Sequence, residues 1–159
     1  MRIHVPQTGG DEVLIATPPV TSQDVKQLVA RLIVFVIAAF YAYGALVHVL
    51  NMLSLTGFDW GEAPAKWQAL DVMYLILEVA VVIGLLLRSQ IGICAFYVAA
   101  LSHIALYTAL RDWVLDVPDA FHRSTDEIAY LDHLVIFHLV TCVAMSAAIW
   151  LIRPKGGRA

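Results

Sequence analysis

Residues 69–87 read ALDVMYLILEVAVVIGLLL, an apolar run that carries two carboxylates, Asp71 and Glu78. About 20 apolar residues at ~1.5 Å rise match the hydrocarbon core of a bilayer. Glu78 then falls near the middle of the membrane. An ionised acidic or basic residue there costs at least ~2.5 kcal/mol on insertion scales. Such a group needs a partner, a proton or a water-filled pocket, and the rest of the chain is read as its housing.

Three more runs of this kind frame the second one. The chain is 60% hydrophobic and 14% charged over 159 residues, against about 25% charged in a soluble domain. This composition excludes an ordinary soluble enzyme and leaves room for one bundle. A net charge of −3 without any Lys/Arg cluster gives no nucleic-acid signal. The chain has no GxGxxG, P-loop, HExxH or GxSxG. Cys94 and Cys142 sit inside apolar runs without a CxxC, so both are expected as small buried hydrophobes.

Residues 1–24 hold Gly9-Gly10 and Pro18-Pro19, with Asp11 and Glu12 breaking any apolar core. They are expected to form a mobile tail and not a signal peptide. Thr21, Ser22 and Asp24 can cap the helix that follows. Transmembrane helices are expected over about 25–50, 67–88, 91–110 and 127–152, with a basic tail at 153–159. Ser124 with Glu127 matches a capping box for the last of them. The turn Arg88-Ser89-Gln90 is short enough to make the second and third helices antiparallel neighbours. The fold class is therefore all-α, an integral membrane four-helix bundle.

Arg2, Lys26, Arg31, Arg88, Arg153, Lys155 and Arg158 lie on one side of this arrangement, and Lys66, Arg111 and Arg123 on the other. The excess of basic residues on the first side predicts that both termini are cytoplasmic, as in a multi-pass protein of a bacterial-type inner membrane. The loops 52–68 and 111–126 then face outward. Trp60 and Trp67 fit an interfacial aromatic belt. Phe58, Trp113, Val114, Leu115, Val117 and Phe121 add apolar surface, which predicts docking onto another membrane subunit or a second copy, besides contact with lipid.

Polar residues cluster on particular helix faces. Tyr41, Gly44, His48 and Asn51 fall at i, i+3, i+7 and i+10, and Asp71, Tyr74 and Glu78 at i, i+3 and i+7. Gly92, Ala95, Ala99 and Ser102 form a small-residue ridge on the third helix, with His103 and Tyr107 beside it. On the fourth helix His138 and Cys142 share a face, and His133 lies about 140° away. Glu78, His103 and His138 come near their helix midpoints. His48, Asn51, Asp71, Asp132 and His133 come about two turns further out, while the cytoplasmic half is almost free of polar groups. Three readings stay open. Glu78, His103, His138, Tyr74, Tyr107 and His48 could line a pocket for a small redox ligand such as a quinone. Glu78, His103 and His138, joined by His48, could bind a metal, or His103 and His138 a haem b. The groups could also simply satisfy one another across the helices.

The stretch LEVAVVIGLLLRSQIGICAFYVAALSHIAL, with Glu78, Gly84, Arg88 and His103 in it, resembles the DoxX-like family of small four-helix membrane proteins. Members of that family look like subunits of sulfur-compound:quinone oxidoreductases or of oxidative-stress membrane complexes. The resemblance implies an accessory subunit of a quinone-linked membrane redox complex rather than a self-contained enzyme.

Overall fold

The computed structural model describes residues 21–121 and 124–152, and the side chain of Glu127 is outside this description. Most of the two expected tails, residues 1–20 and 153–159, therefore lies outside the described residues, as does the Glu127 half of the expected capping box. The described chain is helical and contains no strand. Its elements are α1 (Ser22–Met52), α2 (Ala65–Leu86), α3 (Gln90–Tyr107), the short α4 (Arg111–Leu115) and α5 (Thr125–Ile152), with 3₁₀ turns at Trp60–Glu62 and Asp119–Phe121. Four helices are long and apolar enough to cross a membrane. α1 packs on α2 and α5, and α3 packs on the same two, closing a four-helix ring.

Local chemistry sets the boundaries. Thr21 caps α1 through a reciprocal box with Asp24, so the helix starts three residues earlier than the apolar pattern alone predicts. The α2–α3 turn is a Schellman closure, in which Ser89 N–H donates to Gly84 O (2.9 Å) and Arg88 N–H to Leu85 O (3.0 Å). Arg88 takes the left-handed conformation (φ 54°) that glycine usually fills. Ser89 Oγ then accepts from Gly92 N–H (3.0 Å) and starts α3. α3 stops at Tyr107, three residues short of the expected end, where the Thr108 hydroxyl donates to Ile104 O (2.6 Å). The loop expected after it contains α4.

The ridge on α3 is used as expected. Gly92, Ala95 and Ala99 are buried, and a Cβ added at Gly92 would stand 2.2 Å from the Gly84 carbonyl carbon. The backbones of α2 and α3 meet there. Toward the α2–α3 turn the core is apolar and made of Ile37, Val81, Leu85, Phe96 and Met145 with small alanines. The opposite face of α3, Ile91, Cys94, Val98 and Leu101, is exposed. Cys94 is thus not a buried hydrophobe as expected, because it falls on the outward face at the helical period, while Cys142 is half-buried. Exposed Leu, Val, Ile and Phe side chains on all four long helices present an apolar outer surface suited to lipid.

Candidate functional site

The loop end of the bundle is built differently. Late α1, early α2, late α3 and early α5 meet around a cavity of about 590 Å³. It runs from Glu78 and His138 to Thr56 and Asp126, both exposed positions, so it reaches the surface at the loop end. Glu78, His103, His138, Tyr74, Tyr107 and His48 all line it.

Asp71 organises the outer layer. It accepts from the His48 Nδ1 side (2.7 Å), from Asn51 Nδ2 (2.9 Å) and from the Trp60 indole N–H (3.0 Å). The spacing of His48 and Asn51 on one face is what lets both reach one carboxylate. Trp60 is turned inward onto Asp71, and the Trp67 indole donates to Val114 O (3.0 Å). Neither is the purely interfacial residue expected from composition, because a buried carboxylate and a free carbonyl stand within their reach. The other face of the His48 ring continues the contact downward: Nε2 lies 3.8 Å from Glu78 Oε2. His48 therefore links two layers that helix depth alone separates.

Glu78 is buried, and its Oε2 has no hydrogen-bond partner among the described residues. Its carboxylate fits because position 44 is glycine: an added Cβ there would stand 2.6 Å from Oε1. The Tyr/Gly face of α1 thus serves the site as well as helix packing.

His103 and His138 are buried next to it. The Nδ1 of His103 meets Ala99 O at 3.0 Å and that of His138 meets Leu134 O at 2.7 Å. A carbonyl only accepts, so in both rings Nδ1 carries the proton. In the neutral ring Nε2 is then a lone-pair donor to a metal or an acceptor of a hydrogen bond. His48 turns Nδ1 to the Asp71 carboxylate and Nε2 toward Glu78. Tyr74 stacks on His103 (centroids 3.8 Å apart) and donates to Ser102 Oγ (3.3 Å), which holds the imidazole in place.

Ligand atoms of His48, Glu78 and His103 all lie within 4.8 Å of one another. Of the expected set, Glu78, His103 and His138 joined by His48, this group holds three, and His138 is not among them. The physical reason is that Asp71 draws His48 toward Glu78, whereas His138 stacks face to face with His103 (centroids 4.5 Å, interplanar angle 19°). Axial ligands of a haem oppose each other nitrogen-first across the iron. The stacked rings do not form that arrangement.

Two polar residues expected in the outer layer lie outside the site. His133 is exposed, with Nδ1 on Ala129 O (2.9 Å), and Asp132 is exposed and pairs with Arg111 (2.5 Å). That pair, and the Lys66 ammonium donating to Trp113 O and Asp116 O, tie α4 over the cavity. Val114 and Val117 are buried in this roof, and Phe58, Trp60, Trp67, Leu115 and Phe121 are half-buried. Most of the apolar loop surface expected to dock on a partner packs on the chain's own bundle, and Trp113 stays exposed. Asp71, Asn51, Trp60 and Gly44 join the site beyond the residues expected from the sequence. The shared face of Asp71 and Glu78 was the available signal for the first. Compared with protein-family models, curated proteins and solved structures, the chain matches none.

Proposed function

We propose that this protein is an integral membrane metal-binding protein, with a first-row transition-metal ion held by His48, Glu78 and His103 inside the four-helix bundle. One observation carries the reading: ligand atoms of His48, Glu78 and His103 converge to within 4.8 Å of one another inside the bundle. The buried His103 and His138 rings have their Nδ1 protons on Ala99 O and Leu134 O, which leaves each Nε2 lone pair free to accept, and one Glu78 carboxylate oxygen has no hydrogen-bond partner among the described residues. A buried cluster of lone pairs is costly unless a cation or a proton satisfies it. Imidazole with carboxylate suits zinc, copper or iron. The Asp71–His48 contact has the form of an outer-shell carboxylate that orients a metal-bound histidine. The experiment is elemental analysis and visible absorption of protein purified from its membrane. One equivalent of metal per chain without a Soret band is expected. Metal-free protein that takes up none of zinc, copper or iron on loading would overturn the proposal.

A second reading is an accessory subunit of a quinone-linked redox complex, as the DoxX-like resemblance implies. It is supported by the cavity volume of about 590 Å³, far more than one ion fills, and by the walls of Tyr41, Tyr74 and Tyr107. Solvent extraction of the purified protein should then release a quinone or quinol in stoichiometric amount. Exposed Leu53, Leu55 and Trp113 at the loop end support contact with a further subunit, which native mass after mild detergent extraction would detect.

The same proposal places both termini in the cytoplasm of a bacterial-type cell and the cavity mouth outside, on the basis of the basic residues. Tags on both termini should resist protease in intact spheroplasts, and cleavage of either would reverse the orientation.

A further inference from the structure

The three ligands come from three helices: His48 from α1, Glu78 from α2 and His103 from α3. α5 contributes none of them. On its side lie His138, Leu134 and Tyr130, which line the cavity. Two histidines and one carboxylate leave at least one coordination position of a metal unfilled by protein. From the geometry we infer that the metal centre is coordinatively open toward α5 and takes an exogenous oxygen-donor ligand there, with His138 beside the ligand and not on the metal. The inference rests on the metal reading above and adds the direction and chemistry of its open face.

Three features fix that direction. Protein ligands occupy the α1–α2–α3 side, so the remaining coordination sphere faces the cavity. The cavity is about 590 Å³, against ~30 Å³ for one water in the liquid, so a ligand larger than water has room beside the ion. The groups that face the open side are matched to a protic oxygen ligand. His138, its Nδ1 proton on Leu134 O, offers Nε2 as an acceptor. The buried Tyr41 hydroxyl has no hydrogen-bond partner among the described residues and offers a donor. The Tyr41 and His138 rings sit edge to face with centroids 6.1 Å apart. A protic ligand held there would donate a hydrogen bond to His138 Nε2 and accept one from the Tyr41 hydroxyl. The ligand classes that fit are water or hydroxide, dioxygen, and the phenolic oxygen of a ring compound lying in the cavity.

The test uses the full-length protein loaded anaerobically with iron(II) in detergent, with nitric oxide as the probe of an open position. Electron paramagnetic resonance should show one iron–nitrosyl adduct per bound iron, both in the wild type and in His138→Phe. His138→Gln provides a second variant in case the phenyl ring disturbs folding, and both should retain the wild-type iron content. Iron bound at full stoichiometry without a nitrosyl signal in the wild type would show a closed centre and overturn this inference alone. Loss of iron in folded His138→Gln would make His138 a fourth ligand and overturn it as well. Failure of the wild type to bind any iron, zinc or copper would overturn this inference and the metal reading together.

Discussion

The two ends of the bundle solve opposite problems with the same four helices. At the short-turn end, Gly84 and Gly92 bring two backbones into contact, and Phe96, Val81 and Met145 are fully buried in an apolar core. At the loop end, the helices hold a cavity lined by His48, Asp71, Glu78, His103 and His138, under a roof stitched by Lys66 and the Arg111–Asp132 pair. In lipid, helix association comes from close packing and interhelical hydrogen bonds rather than from a hydrophobic drive. The apolar end supplies the packing. The polar end gives up some of it, and its hydrogen bonds orient side chains toward a shared point. The difference teaches that close packing and polar side chains are separated along the helix axes.

Substitutions can break that division in a graded order. The largest effect is expected from Glu78→Lys. It places a cation against the Gly44 backbone in the middle of the bundle, and the protein should fail to accumulate in the membrane fraction. Glu78→Gln should accumulate normally and lose the metal. Normal yield of Glu78→Lys would mean that the residue faces water and that the two ends are not distinct.

Next comes Gly92→Ala at the apolar end. The new Cβ meets backbone at 2.2 Å and cannot be relieved by a side-chain rotation. Overpacking of this kind should cost about 3 kcal/mol, read as a lower thermal midpoint in detergent, with metal content per folded chain unchanged. Gly44→Ala is the contrasting case. The three atoms nearest its Cβ all belong to the Glu78 carboxylate, the closest at 2.6 Å, so the side chain can move. A cost of about 1 kcal/mol is expected, with loss of metal, and the pair separates backbone packing from site geometry.

Asp71→Asn should leave the midpoint almost unchanged and weaken metal affinity by about 10- to 100-fold, measured by competition with a chelator, because the carboxylate that orients His48 is gone. The smallest effect belongs to Tyr97→Phe, which removes a 2.7 Å hydrogen bond to Ser146 on the lipid side of the apolar end. Interhelical bonds in membranes average about 0.6 kcal/mol, so a small shift in midpoint and no change at the site are expected. A large loss of metal from this variant would show that the two ends are coupled.

The amino-acid sequence by itself determined the helices and much of the polar face. Four apolar runs of membrane-spanning length require helices, since lipid admits only helices and closed barrels and a barrel strand needs only about 10 residues of alternating pattern. The capping residues Thr21 and Asp24, the short turn at Arg88 and the glycine–alanine ridge of α3 were legible because each acts within a few residues of the chain. The periodicity that put Asp71, Tyr74 and Glu78 on one face was legible for the same reason. What the tertiary structure decided is which residues meet across helices. Depth along each helix put Asp71 and Glu78 in different layers, and only the docking of α1 against α2 shows His48 joining them. It also brought His48 together with Glu78 and His103, turned Trp60 and Trp67 onto Asp71 and Val114, and gave Gly44 its role as the cradle of Glu78. Helical period fixes the angle and height of a side chain on its own helix. The rotation and offset between helices are set by side-chain packing from all four at once, and that information is not held in any single run.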